Sequence, residues 1–216
     1  MTTIREIRRL TAPFQRPQGL VWANDTLWMT SLATSQVGAV NPQDWTLGWT
    51  TEAPGKPYGL AYVANELRVI CGETAEDNRF IRRCVPHEGF DPDFGLPCPD
   101  DTGSQLGYDG ESLYVSQWYR QRVLRISATG EVLDTYHSPH QICGQVIVGD
   151  FIYLMGTDDE STTDFLLTRI HRVTKEAQDI AQVPFQARAL AHDGTDFWTN
   201  HREAHQTVCF AVDGME

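Results

Sequence analysis

Residues 107–133, GYDGESLYVSQWYRQRVLRISATGEVL, decide the fold. Two turn dipeptides, Asp109-Gly110 and Thr129-Gly130, divide this stretch; glycine supplies the backbone freedom that tight turns demand. Between them LYVSQ (113–117) and RVLRI (122–126) are rich in β-branched and aromatic residues, which fit a pleated, half-buried surface. The stretch reads as three short strands and the start of a fourth. A four-stranded meander of this length is one blade of a β-propeller.

The rest of the chain can be laid over that blade. Pro13, Pro54, Pro99, Pro139 and Pro184 are spaced by 41, 45, 40 and 45 residues, a period suited to four strands per repeat. After each proline a short loop leads into an inner strand: QGLVW (18–22), YGLAY (58–62), SQLGY (104–108), CGQVI (143–147) and RALAH (188–192). Glycine and alanine suit these strands because they converge on the propeller axis, where large side chains collide. A turn follows each, then second strands at 27–31, 67–71, 113–117, 152–156 and 197–201. Third strands follow at 37–40, 79–85, 122–126, 164–173 and 207–212, and fourth strands at 47–51, 131–136 and 178–183. The fourth slot of the second repeat, FDPDFGLPC (90–98), holds two prolines and predicts an irregular edge.

The fifth repeat stops after three strands. IREIRRL (4–10) leads into Pro13 as 178–183 leads into Pro184, so this N-terminal strand should pair with the C-terminal repeat and close the ring. Closure removes exposed sheet edges and ties down both ends. The expectation is an all-β, five-bladed β-propeller of four-stranded antiparallel blades in one domain, 1–216: 4–13 as the outer strand of blade 5, then 14–54, 55–99, 100–139, 140–184 and 185–216. No long window carries apolar residues at helical spacing between caps.

Composition narrows the function classes. The formal net charge is -12, with 29 Asp plus Glu against 17 Lys plus Arg. Phosphate contacts need a basic face, so nucleic acid is not expected as a partner, nor is an anionic membrane surface. Five widely spaced cysteines without a CxxC pair predict free thiols in a reducing cytoplasm. The first ten residues, MTTIREIRRL, carry charge where a secretory signal is apolar. A monomer or weak oligomer handling a small-molecule ligand is expected.

The topology gathers two loop sets on one end of the ring, and loops on a rigid scaffold are where binding residues sit. One set, ahead of the inner strands, contains Gln18, Tyr58, Asp100, Asp101, Ser104, His140, Cys143 and Arg188. The other, after the second strands, contains Glu73, Trp118, Tyr119, Arg120, Asp158, Glu160, His201, Arg202, Glu203 and His205. Glu73, Gln117, Asp158, His201, Arg188 and Tyr58 are placed to reach the channel mouth. Oxygen and nitrogen ligands from four blades can hold a divalent cation such as Ca or Mg, with Glu73 and Asp158 as the carboxylates; the plain alternative is a water-filled channel.

His201-Arg202-Glu203-Ala204-His205 is the densest ionisable cluster. A histidine near a carboxylate can serve as general base, whereas in a solvated loop it need not. Asp100 and Asp101, beside Thr102 and Ser104, can hold an amine, hydroxyl or metal, or simply form a turn. Cys143 three residues after His140 suits a Cys/His nucleophile or a buried small residue in a crowded strand. Inter-blade packing accounts for Trp22, Trp28 and Trp198, while Trp118 with Tyr119 can stack on a flat ligand and Arg120 can pair with an anion. The candidate acid/base groups are thus His201, Glu73, Asp101 and Asp158; the candidate binding groups are Arg188, Tyr58, Gln18, Gln117, Trp118, Arg120, His140 and Arg202.

PQGLVWANDTLWMTS (17–31), echoed by PYGLAYVANELRVICG (57–72), resembles blades of the superfamily that holds NHL repeats, the SMP-30/gluconolactonase group and virginiamycin B lyase. LYVSQWYRQRVLRISATGEVL (113–133) is similar to the corresponding run of bacterial glutamine cyclotransferases. The resemblance implies a propeller and a channel-mouth site. Gluconolactonase-like relatives imply a divalent metal held by carboxylates and amides from different blades; Glu73 and Asp158 stand at comparable positions, with Gln117 and Asn200 where asparagines are expected. The function expected is a small-molecule enzyme of hydrolase, lyase or cyclase type acting on a small polar or anionic substrate, and the alternative is a non-catalytic ligand-binding or interaction propeller.

Overall fold

The computed structural model describes residues 1–72 and 78–214. The chain starts with β1 (Thr2–Thr3) and β2 (Arg5–Thr11). Blade 1 is β3 (Pro17–Ala23), β4 (Thr26–Ser31), β5 (Gln36–Val40) and β6 (Leu47–Glu52). Blade 2 is β7 (Lys56–Val63), β8 (Glu66–Gly72), β9 (Arg79–Val85) and β10 (Gly89–Pro97). Blade 3 is β11 (Leu106–Tyr108), β12 (Leu113–Gln117), β13 (Arg122–Ile126) and β14 (Val132–His137). Blade 4 is β15 (Gln141–Val148), β16 (Phe151–Thr157), β17 (Phe165–His171) and β18 (Ala177–Val183). Blade 5 is β19 (Ala187–His192), β20 (Phe197–His201) and β21 (Gln206–Ala211), completed by β2. The architecture is the five-bladed, antiparallel propeller that the repeat predicts.

Closure works as expected and goes one step further. β2 runs antiparallel to β21, from Arg5 opposite Ala211 to Thr11 opposite Gln206. β1 then adds in parallel to the outer edge of blade 4, Thr2 opposite Ala181 and Thr3 opposite Gln182. Ile4, between the two, is buried with Phe165, Leu167, Val183 and Phe210 in the cluster that joins blades 4 and 5. A two-residue strand has no periodicity to read, so sequence gave no sign of it.

The core is five apolar clusters, one in each gap between adjacent blades. Removing a leucine- or isoleucine-sized side chain from water stabilises by roughly 1.5–3 kcal/mol, and Leu27, Leu67, Ile70, Ile81, Ile126 and Ile142 are all fully buried. The tryptophans serve these gaps: Trp198 stacks with Trp22 and Trp45, and Trp28 stacks on Tyr62 and meets Trp49 edge-on. At the axis the backbones themselves touch. A methyl group on Gly59 would lie 2.3 Å from Gln105 Cα, and one on Gly19 would lie 2.3 Å from the Tyr58 carbonyl oxygen. The irregular slot of blade 2 is a strand with a wide bulge: Phe90 pairs with Cys84 but the next pair is Gly95 with Arg82, so residues 91–94, including Pro92, leave the ladder.

Candidate functional site

Four inner strands carry an extra residue at the same place, and the fifth carries one a position further along, where Ala189 and Leu190 oppose Thr199. In blade 1, Gln18 and Gly19 oppose Thr30 alone, because Pro17 pairs with Ser31 and Leu20 with Met29. In blade 2, Tyr58 and Gly59 oppose Ile70 in the same way. In blade 3, Ser104 donates its N–H to the Ser116 carbonyl while the Ser116 N–H bonds the Gln105 carbonyl. Cys143 is the extra residue between the Ile142 and Gly144 pairs, and blade 5 shifts register between Arg188 and Ala191. A bulge twists the strand and re-aims a side chain. Hydroxyls pin two of these bulges: Thr30 Oγ1 accepts from Gly19 N at 2.7 Å, and Ser116 Oγ accepts from Gln105 N at 3.0 Å.

The bulge residues Gln18, Tyr58, Ser104 and Cys143, with Arg188 just ahead of the bulge in its strand, form the floor of a cavity of about 210 Å³ on the axis at the loop-rich end. Its walls are Arg79, Thr102, Gln105, Trp118, Tyr119, Glu160 and Arg202. A shallower groove lined by Gln186 and Glu203 continues from it past Glu160, Arg188 and Arg202. Three arginines face one carboxylate across the cavity, in a chain whose net charge is -12.

Arg188 is 4% exposed. Its guanidinium carbon lies 5.3 Å from the Trp118 ring centroid and 5.5 Å from that of Phe165, it donates to the Ala187 carbonyl at 3.0 Å, and it pairs with Glu160. Arg202 donates to Gln18 Oε1 at 3.0 Å and to Glu203 Oε1 at 3.0 Å. Burial and then the charge of Arg188 hold the Arg202 pKa below the usual guanidinium range, which marks a place where positive charge is crowded. Arg79 lies 3.8 Å from the Tyr58 ring centroid and donates to the Gly103 carbonyl. Gln105 is buried, and its side-chain Nε2 has no hydrogen-bond partner. Burial pushes the Cys143 thiol up to about 11, and its single S–H lies between the Met155 and Ala187 carbonyl oxygens, each 3.3 Å from the sulfur. A thiol held protonated in this way is a packing group rather than a nucleophile.

Of the residues singled out in the sequence, Gln18, Tyr58, Trp118, Arg188 and Arg202 meet in the cavity. The other described acid/base and binding candidates lie elsewhere. His201 stacks on Phe185 at 5.2 Å and faces Arg9 at 3.3 Å, near the outer strand of blade 5; burial, then the Arg9 charge, lowers its pKa. Gln117 is buried beneath residues 99–102, donating to the Pro99 carbonyl at 2.7 Å and accepting from Arg122 at 2.6 Å. Asp101 is exposed in the short 3-10 turn Pro99–Asp101, and Arg120 pairs with Asp100 at 3.4 Å. His140 is held between Asp158 at 3.0 Å and Asp179 at 3.2 Å. Burial opposes its charge, but the bonds to the two aspartates outweigh that and raise its pKa. Glu73 lies outside the described residues.

Arg79 and Gln105 are cavity residues that sequence reading did not place at the mouth, and Glu160 was named there only as one loop residue among many. A signal for the floor was available. Aligned as repeats, the inner strands have a second column of Gly, Gly, Gln, Gly, Ala and a third of Leu, Leu, Leu, Gln, Leu, whereas the first column is Gln, Tyr, Ser, Cys, Arg. The column without a shared packing role is the one that faces the ligand space.

The described residues of the mouth do not form a hard-cation site. Glu160 is the one carboxylate lining the cavity among them, and it faces arginines. Asp158 is spent on His140, and Asn200 is fully buried, its Oδ1 accepting from Thr207. Asp193, Asp196 and Cys209 do come together after β19, but the Asp193 carboxylate is occupied by the N–H groups of Thr195, Asp196 and the Trp198 indole.

No family model and no curated protein sequence matches the chain. Solved structures do. The glutaminyl cyclase of Myxococcus xanthus superposes with a TM-score of 0.72 at 14% identity, over 99% of this chain and 98% of that one. A calcium-binding regucalcin from Agrobacterium tumefaciens gives 0.61 at 11% identity, over 98% and 96%. A catalytically inactive virginiamycin B lyase from Staphylococcus aureus, solved with quinupristin, gives 0.54 at 16%, over 95% of this chain and 70% of that one. The chain has the fold of these propellers. Identities this low speak for fold and not for chemistry.

Proposed function

We propose that this propeller is an enzyme whose substrate is a small anionic molecule bound at the loop-rich mouth. The observation that carries the reading is the convergence of Arg79, Arg188 and Arg202 on an aromatic-walled axial cavity in a strongly acidic chain. Arg188 and Arg202 hold the anion, Arg188 doing so from a fixed orientation between two rings. Trp118 and Tyr58 flank the rest of the substrate. Glu160 is the base that takes up a proton, and the unpartnered Nε2 of Gln105 donates to the oxygen that gains charge. One base and one donor suffice for elimination or for intramolecular cyclisation, so the lyase or cyclase class is favoured over a hydrolase that must also activate water. The five cysteines, all buried and none in a disulfide, support our further proposal of a reducing, cytoplasmic setting.

A second reading is anion binding without turnover. It is favoured by one observation: the cavity's carboxylate is already committed to Arg188. Calorimetry against a panel of small carboxylates and phosphate, followed by mass spectrometry of every ligand that binds, separates the two. Saturable binding with a mass-changed product supports the enzyme, binding without product supports the second reading, and no binding by any anion at millimolar concentration overturns both.

A further inference from the structure

We propose that Glu160 holds on Arg188 the position of the substrate's carboxylate, so that the ligand is a monocarboxylate and Glu160 sets the selectivity for it; this rests on reading the mouth as an anion site. The two partners of this ion pair are unequal. The side chain of Arg188 is 5% exposed and is clamped between Trp118 and Phe165. Glu160 lies in the connection between β16 and β17, and its side chain is 55% exposed. Its backbone carbonyl accepts from Gln186 Nε2 at 3.1 Å, which fixes the loop without fixing the carboxylate. Arg188 is thus the prepared surface and Glu160 the group that can leave.

Glu160 also has somewhere to go. The groove beside the cavity is lined by Glu160, Gln186, Arg188, Arg202 and Glu203, so a displaced carboxylate stays next to Arg202 and within the field of Arg188. From there it affects what can replace it. A planar carboxylate matches the guanidinium edge that Glu160 now occupies. A dianion in the same place repels the displaced Glu160 about twice as strongly as a monoanion does, since Coulomb energy scales with charge. Glu160 therefore works in two ways: it competes with every anion, and it penalises dianions most. A tethered competitor acts at roughly millimolar effective concentration or above and lowers apparent affinity by the fraction of time Arg188 is occupied.

Calorimetric titration of the whole protein with benzoate and, separately, inorganic phosphate tests this. For Glu160→Gln, the benzoate Kd should fall about tenfold and the phosphate Kd should fall further, erasing the preference for benzoate. Gln186→Ala, which loosens the loop but keeps the carboxylate, should give a smaller gain in the same direction and keeps the test decisive if the first variant fails to fold. If the variants bind benzoate no more tightly than wild type while Arg188→Lys still weakens it, Glu160 is a structural partner and this inference falls, with the anion site standing. If wild type and variants bind neither probe, the anion site falls as well.

Discussion

At one end of the five inner strands stand Gln18, Tyr58, Ser104, Cys143 and Arg188; four residues along each strand, at the other end, stand Trp22, Tyr62, Tyr108, Ile147 and His192. The second set is mostly aromatic and tied to the turns at that end, its own or those of the neighbouring blade. Tyr62 OH accepts from Asn24 Nδ2 at 3.0 Å, Tyr108 OH donates to the Gly110 carbonyl at 2.7 Å, and His192 packs on Phe197 at 4.8 Å. The first set is polar, sits on or directly beside bulges and is surrounded by arginine. A regular strand turns residues four apart to the same face. The bulge breaks that rule at one end only, so one set of strands supplies a stapled end and a reactive end. Rigidity at the turn side is what allows irregular backbone at the mouth to hold its shape.

The contrast can be broken by opening the ring. Removing residues 1–11 strips β21 of its outer partner and leaves a bare sheet edge. The truncated protein should lose cooperative unfolding and elute as aggregate in size-exclusion chromatography; a soluble, cooperative product would show that neither end needs closure. Next in size is Gly59→Ala, whose methyl group meets the backbone of the next blade. Overpacking against backbone should cost about 3 kcal/mol in urea denaturation. Arg188→Lys sharpens the contrast directly: losing the planar, stacked edge should weaken anion binding roughly 30-fold, about 2 kcal/mol, by calorimetry. Tyr62→Phe, at the other end, should leave the same titration unchanged.

A smaller effect concerns His140, which lies outside the cavity lining. Its folded pKa lies above the ordinary 6.5 because two aspartates bond the ring. The stabilisation is fully present below that ordinary value and is lost as pH rises through the raised one. The stability gap between wild type and His140→Gln should therefore be largest near pH 6 and shrink by about 1 kcal/mol or less by pH 8.5 in urea titrations. The smallest effect belongs to the turn between β7 and β8, where Ala64 sits at φ 50. An alanine there pays the left-handed penalty, so Ala64→Gly should stabilise by about 0.5 kcal/mol in the same assay, with no change in anion binding.

The fold was legible because each blade repeats its signals. Turn pairs such as Asp109-Gly110 and alternating strands such as LYVSQ recur at a steady period, and IREIRRL fits the one vacant slot. Glycines 19, 59 and 144 announced the axis because backbones touch there. The site was only half legible. Tyr58 and Arg188 were found by their place just ahead of the inner strands. His201 and Gln117, at the ends of second strands, turned away because no bulge re-aims them; one packs on Phe185 and the other is buried under residues 99–102. The clustering of His201 through His205 in sequence carried no weight once strand alternation sent Arg202 to the axis and His201 to the rim.

The order of residues by itself determined five sheets, their turns and the strand that closes them, since local periodicity and turn chemistry are properties of neighbours in the chain. Only the tertiary structure decided that Arg79, Glu160, Arg188 and Arg202, drawn from three blades, share one cavity. Their meeting depends on how far each bulge rotates a side chain and on blades converging at a common axis, and neither quantity is written in any single stretch.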